Sequence, residues 1–381
     1  MKNKLSLQQT QALRGLAILG IILHNYCHFL KFAVKENEYT FTAEKPRQLL
    51  EKLMSIDSDL FIHILSFFGH YGVPVFLFIS GYGLVKKYEV PHSASEGGAL
   101  SFLLRHFRKL FRLMIWGFLL FVAVYFLRHD DGATVYSWDR IAAQLTMTVN
   151  FLYEHPDRII KPGPYWYFGL MMQIYALYIF VIHRWRSNWL LLALVAVCWM
   201  VQVIVPAPDA LNFVRYNFIG GVLPFALGVA LARYEGACRG YGGACRGYGG
   251  TRVRGCENSN EALNGNLAPS HLPTSAPTII VSALAVFAGS FWFHSWLWVP
   301  LFIVVGAVAT VRLMPQWLLK PCAWVGGISA ALFVMHPLMR EIIIPHYRHT
   351  DIYFGIAVYL LASVAAAMML QWLTSKPKTK K

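Results

Sequence analysis

The chain has 381 residues, 56% of them hydrophobic and only 14% charged, against roughly 25% charged in an ordinary soluble domain. That deficit excludes a soluble globule, a disordered chain and a secreted disulfide scaffold. Lys and Arg number 34 against 19 Asp and Glu, a formal charge of +15. The basic residues punctuate long apolar runs, however, as in a protein held in a lipid bilayer, and form no nucleic-acid footprint.

A helix needs about 20 apolar residues to cross the hydrocarbon core. Uncharged windows of that order recur: Gly15 to Leu30, Leu60 to Val85, Leu113 to Leu127, Pro162 to Ile182, Trp189 to Val205 and Tyr216 to Ala232. Ile279 to Val311 is too long for one crossing, and the polar break at His294 and Ser295 divides it into two short helices joined tightly. Cys322 to Met339 and Tyr353 to Ser375 complete the set. The expectation is an all-α polytopic membrane protein with about ten transmembrane helices, forming one domain over residues 1–381. Ile141 to Tyr153 is short and half polar, and reads as an interfacial or buried segment.

With ten spans, the basic clusters all fall on one side. Lys2 and Lys4 come first, then the connection from Lys86 to Arg112, then Arg184 and Arg186, Arg233 to Arg254, Arg312 and Lys320, and the lysine-rich tail. The opposite connections are acidic or mixed, as at Glu36 to Asp59 and at Asp130 and Asp131. Both termini are therefore expected in the cytoplasm. Arg14 lies inside the first run and no small-residue cleavage site follows, so the first helix is expected to persist in the mature protein. The six cysteines form no CxxC and no metal-ligand spacing, so neither a disulfide framework nor a metal is expected. Residues 234–278 read as a flexible cytoplasmic loop rich in Gly, Ser and Pro. It carries a perfect tandem duplication, GACRGYG at 236–242 and again at 243–249.

Polar groups inside spans are costly and tend to mark a pathway or a reaction centre. The first helix carries Arg14, His24, Asn25 and His28. His24 and His28 share a helical face with Asn25 beside it, while the rise of ~1.5 Å per residue puts Arg14 about 15 Å from His24. They cannot bond directly, so a long ligand entering from the cytoplasm would be needed to join them. The bland alternative is that Arg14 snorkels to the headgroups and the histidines bond neighbouring helices. Arg105, Arg108, Lys109 and Arg112 recur at helical spacings of three and four. Their guanidinium groups suit the phosphates of a cofactor, or simply mark a positive-inside flank. Further embedded polar groups are His70, Ser80, Gln173 and His336, for which a helix-bridging hydrogen bond is the ordinary reading and substrate contact the functional one.

The stretches A-L-R-G-L-A-I-L-G-I-I-L-H-N (12–25), G-V-P-V-F-L-F-I-S-G-Y (72–82), R-H-F-R (105–108), P-Y-W-Y-F-G-L-M-M-Q-I-Y (164–175) and G-G-I-S-A-A-L-F-V-M-H-P (326–337) together resemble the membrane acyltransferase-3 family, over nearly the whole chain. The resemblance implies transfer of an acyl group, commonly acetyl, from cytoplasmic acyl-CoA to a hydroxyl of a surface polysaccharide or lipid-linked sugar. It implies a multi-pass protein of the cell inner membrane, and no metal or nucleic acid. Arg105 and Arg108, with Arg112, would hold the CoA phosphates, Arg14 would orient the donor, and a first-helix imidazole would act as base. Nine residues separate Arg14 from His24, one fewer than the family's spacing, and Asn25 stands where its histidine would be. Either His24 serves through a helix irregularity, or Asn25 holds that place and His24 or His28 supplies the base. Met171 and Met172 stand where many members have carboxylates, which suggests a distinct subgroup. A transporter or flippase lined by the same polar groups, or a membrane scaffold, is the rival. Uptake without covalent change would mark the first, and surface chemistry indifferent to these residues the second.

Overall fold

A computed structural model describes residues 4–89, 98–205, 208–243 and 276–374, the side chains of 237–243 excepted. Residues 244–275 of the expected flexible loop at 234–278, with nearly all of the second copy of its duplication, lie outside the described residues, as do residues 1–3 and 375–381 at the two ends; the first copy, 236–242, falls at the end of a helix.

Among the described residues the secondary structure is helical, with no strand. Helix α1 (Leu7–Cys27) starts at a capping box in which Ser6 accepts from the Gln9 amide while the Gln9 side chain accepts from Ser6. Helix α2 (Glu44–Ser55) is short and amphipathic. Helix α3 (Leu60–Phe68) passes through a single 3-10 turn, Gly69–Tyr71, into α4 (Gly72–Tyr88). Helix α5 (Ala99–Arg128) is one unbroken helix that carries the arginine cluster on its first turns and the apolar run on the rest. Helix α6 (Trp166–Leu177) continues through a π turn at Tyr178–Ile182. Then follow α7 (Asn188–Ile204), α8 (Pro208–Tyr216), α9 (Phe218–Gly243), α10 (Ala276–Gly289), α11 (Val299–Leu313), α12 (Gln316–Tyr347) and α13 (Ile352–Thr374). As the polar break at His294 and Ser295 leads one to expect, α10 and α11 are separate, joined by a short turn of helix at Phe293–Trp296. The half-polar stretch at 141–153 forms two short helices, Trp138–Leu145 and Val149–Leu152, with Gln144 and Asn150 buried.

Among the described residues six helices are long and apolar enough to cross a bilayer: Leu60–Tyr88, Ala99–Arg128, Gly163–Trp185, Phe218–Gly236, Gln316–Tyr347 and Ile352–Thr374. Helices α7, α10 and α11 are apolar but shorter, and α1 is diluted by Gln8, Gln9, Gln11, Arg14, His24 and Asn25. The chain is a multi-pass membrane protein with six such helices among its described residues, and the count of ten and the cytoplasmic ends remain expectations.

Helix α1 sits inside the bundle, packed along α12 on one side and against α3 and α4 on the other. Glycines set these distances. A Cβ on Gly15 would overlap the Cys322 carbonyl, and one on Gly326 would overlap the Gln11 carbonyl, so α1 and α12 meet backbone to backbone. Helices α4 and α9 meet the same way at Gly81 and Gly228. Of the six long helices, α5 and α13 are the least buried and turn Trp116, Phe126, Leu361 and Trp372 outward. At the other end from His24, the buried Glu235 carboxylate accepts from the Leu5 amide, Tyr82 and Lys86, tying the start of α1 to α4 and α9.

Candidate active site

The last two turns of α1 aim His24 at the 3-10 turn between α3 and α4. The turn can come this close because residue 69 is glycine: a Cβ there would lie 2.6 Å from the His24 Cβ. His24 Nδ1 is 2.8 Å from the Ser66 carbonyl oxygen. A carbonyl only accepts, so Nδ1 carries the proton and Nε2 keeps its lone pair. Helix α1 is continuous through this point, so His24 reaches the site without any helix irregularity.

The segment after α1 folds back over the histidines. Lys35 donates to the His28 and Leu30 carbonyls, and Lys45 donates to the Glu36 carbonyl at 2.7 Å. The next residue is pinned from the α10–α11 connection, because Trp296 donates to the Asn37 carbonyl at 2.8 Å. These bonds seat the Glu36 carboxylate against both imidazoles. His28 Nδ1 donates to Glu36 Oε2 at 2.9 Å, and His24 Nε2 faces Oε1 at 4.0 Å. Burial alone would push the Glu36 carboxyl up. The His28 hydrogen bond and the neighbouring imidazoles of His24, His28 and His70 outweigh it and hold the group well below the usual carboxylate range, hence ionised. The His70 ring is 5.6 Å from that of His24, and its Nδ1 has no partner. Two imidazole nitrogens and one carboxylate oxygen, from His24, His28 and Glu36, lie within 4.8 Å of one another. That donor set suits a divalent cation as well as a proton.

Asn25 turns the other way. Its amide nitrogen donates to the Ile21 carbonyl at 2.9 Å and its oxygen accepts from Arg340 Nη1 at 2.6 Å. An amide committed on both sides fastens α1 to α12 and offers no basic atom. His336, one turn before Arg340 on α12, is fully buried with Nδ1 on the Leu332 carbonyl and Nε2 unpartnered.

Toward the other end of α1, Arg14 has the phenol groups of Tyr167 and Tyr175 as electrostatic neighbours. Ser80 donates to the Phe76 carbonyl at 2.8 Å and also bonds Tyr167. Arg14, Ser80 and α6 therefore form a polar group of their own. Gln173 is in neither group: its amide bonds Asn217 at 2.7 Å and the Phe218 amide at 2.8 Å, locking α6 to the start of α9.

Arg105, Arg108 and Arg112 line, with Lys109, an open groove of about 570 Å³ between α5, α12 and α13. Leu113, Ala330, Leu370 and Thr374 complete its wall, and neither Arg14 nor His24 is part of it. The groove and the histidine cluster are thus separate features, joined by no shared side chain.

Sequence reasoning misses Glu36 and Arg340 as site residues. Glu36 reads as one more acid in an acidic connection, and Arg340 as the residue that ends a span. No periodicity signals that a loop folds back eight residues or that an arginine on α12 meets an asparagine on α1.

The family model described as an acyltransferase domain, that of acyltransferase-3 proteins, matches residues 9–374. No curated protein and no solved structure matches the chain. The match runs from the third residue past the capping serine to the last residue of α13, and takes in the histidine cluster, the Arg14 group and the basic groove alike. The chain belongs to the acyltransferase-3 family.

Proposed function

We propose that this membrane acyltransferase moves an acyl group, acetyl in the simplest case, from acyl-CoA to a hydroxyl of a surface polysaccharide or lipid-linked sugar in the cell inner membrane. The observation that carries this reading is the His24 Nε2 lone pair, held by Ser66 and faced by an ionised Glu36. A neutral imidazole with its tautomer fixed is a general base, and a carboxylate beside it stabilises the imidazolium it becomes. The acceptor oxygen attacks the thioester carbonyl as its proton passes to Nε2. The tetrahedral intermediate then collapses, the C–S bond breaks, and the CoA sulfur leaves with the proton that His24 returns. His28 holds Glu36 in place, and His70 walls the far side of the His24 ring.

The basic groove is assigned to the phosphates of CoA, since exposed guanidinium groups grip phosphate bidentately. Arg14 lies between the cytoplasmic end of α1 and His24 and is assigned to the donor's arm, which has to pass it to bring the thioester to Nε2. Ser80, with Tyr167, would line the same passage. His336 would stand on the acceptor side. Gln173 is assigned to holding the fold.

The test is acyl transfer from radiolabelled acetyl-CoA in membranes carrying the protein, with mass spectrometry of surface glycans to identify the acylated product. No label in any lipid or glycan above that of membranes lacking the protein would sink the reading. In the same assay, Arg108→Ala with Arg112→Ala is expected to raise the KM for acetyl-CoA by about 10-fold or more at nearly constant kcat, because phosphate contacts remote from the reacting carbon supply uniform binding. A fall in kcat at unchanged KM would contradict that assignment.

Zinc ion is expected to inhibit, reversibly on adding a chelator, because a cation held by His24, His28 and Glu36 removes the lone pair that takes the proton. Inhibition should weaken in His28→Ala. Full activity with zinc at saturating concentration would contradict it.

A further inference from the structure

Arg340 is 7% exposed and lies at the level of Asn25 on α12. Its guanidinium donates one hydrogen bond, to the neutral Asn25 amide, and stacks on the Phe29 ring at 4.1 Å. A guanidinium has five donors. Among the described residues no carboxylate comes within ion-pair distance of it. The adjacent Glu341 is paired with His129 at 2.7 Å. Asp157, across from it, lies 3.7 Å from Arg158 and bonds Tyr216. Burying a cation costs several kcal/mol, which a neutral amide and a ring do not offset.

The surroundings lack hydrogen-bond partners in the same way. The His336 Nε2 and the hydroxyls of Tyr26, Tyr359 and Ser363 are buried without partners, and His336 and Tyr359 are electrostatic neighbours of Arg340. The turn at Gly163–Tyr165 packs on α12, with the Tyr165 hydroxyl donating to the Val334 carbonyl at 2.9 Å. The half-buried Lys161 lies just ahead of that turn. Burial and then Arg340 lower the Lys161 ammonium's pKa, against smaller opposing effects of Asp157 and Glu341. Lys161 and Arg340 are thus electrostatic neighbours of like charge, and beside Arg340 stand buried polar atoms without partners among the described residues.

We propose that Arg340 and Lys161 form an anion subsite for the acceptor, holding a phosphoryl or carboxylate group while the acceptor's hydroxyl meets His24 on the neighbouring position of α1. This deepens the acyl-transfer reading and rests on it. It names the acceptor class as acidic: either a sugar carried on a lipid pyrophosphate or a sugar bearing its own carboxylate. The exposed face of Phe29, over the guanidinium, is where such a group would enter from the bilayer edge.

The full-length protein in nanodiscs of zwitterionic phosphatidylcholine is titrated with four probes: farnesyl pyrophosphate, farnesol, the methyl glycoside of glucuronic acid, and methyl glucoside. A charged probe is expected to bind at least 10-fold more tightly than its neutral counterpart. Preference for the pyrophosphate places the charge on the lipid carrier, and preference for the uronate places it on the sugar. Arg340→Gln, which keeps a donor for Asn25, and Lys161→Ala are each expected to remove that margin, and Arg340→Lys to keep part of it. If Arg340→Gln does not fold, Lys161→Ala on the connecting segment still decides the matter. Equal binding of charged and neutral probes, or an unchanged margin in Lys161→Ala, overturns the subsite. The readout is independent of catalysis: a protein that binds the charged probes but transfers no acyl group defeats the transfer reading and leaves the anion site standing.

Discussion

His24→Ala is expected to lower kcat for acyl transfer by about 100- to 10,000-fold, the usual contribution of a positioned general base, with little change in the KM for the donor. The reasoning is geometric. Among the imidazoles of the first helix, that of His24 has its Nδ1 fixed by a backbone carbonyl and its Nε2 open toward the buried carboxylate. His28 already spends its Nδ1 on Glu36, and Asn25 has no basic atom. Glu36→Gln should therefore cost less than His24→Ala, on the order of 10- to 100-fold, because it removes the stabilisation of the imidazolium but leaves the base. His28→Ala should resemble Glu36→Gln, since it acts through the same carboxylate. Combining His24→Ala with Glu36→Gln should add little beyond His24→Ala alone, as residues acting as one unit are not additive. Kinetics in detergent or nanodiscs decide this. If His28→Ala proved the more damaging and His24→Ala nearly silent, the base would have to be reassigned.

Much of this arrangement is legible in the sequence, and the reason is the bilayer. Lipid leaves the backbone only helix or a closed barrel, so uncharged runs mark α3, α4, α6, α7, α10, α11 and α13 with modest errors at their ends and α5, α9 and α12 in part, and the polar break at His294 and Ser295 marks a real turn. Helical spacing likewise places His24 and His28 together, and their rings lie 5.3 Å apart. What the sequence hides is long range. Glu36 reaches the histidines only because Lys35, Lys45 and Trp296 fix its loop, and none of those bonds follows a period. Gln173 and Asn25 look alike on paper as amides inside apolar runs. One turns out to brace α6 on α9 and the other to brace α1 on α12. The arginines of α5 are where helical spacing puts them, yet the groove they line includes neither Arg14 nor His24, and no spacing rule predicts that α12 and α13 complete its wall. The length of α5, with its basic turns continuous with its span, is also missed by a reading that stops at the first charge.

Gly326→Ala is expected to destabilise the protein although alanine is the better helix former, and Gly327→Ala is expected to do the opposite. In a helix interior glycine costs about 0.5–1 kcal/mol relative to alanine, so a free site gains from the change. Gly327 is such a site: a Cβ there meets nothing within 4 Å. A Cβ at Gly326 overlaps the backbone carbonyl of Gln11 and lies close to the Gly15 amide nitrogen, 3.1 Å away. Backbone cannot rotate aside as a side chain can, so the helix axes must part, and overpacking of this kind costs about 1–3 kcal/mol or more. The two variants differ by one position and one methyl group each, which makes the sign of the difference the measurement. Thermal unfolding in detergent should show Gly326→Ala below wild type and Gly327→Ala at or above it. Separation of α1 from α12 also pulls on the Asn25–Arg340 bond, so Gly326→Ala should weaken binding of the charged probes as well as stability. Equal melting temperatures for the two variants would mean that the close crossing of α1 and α12 is not what holds the site together.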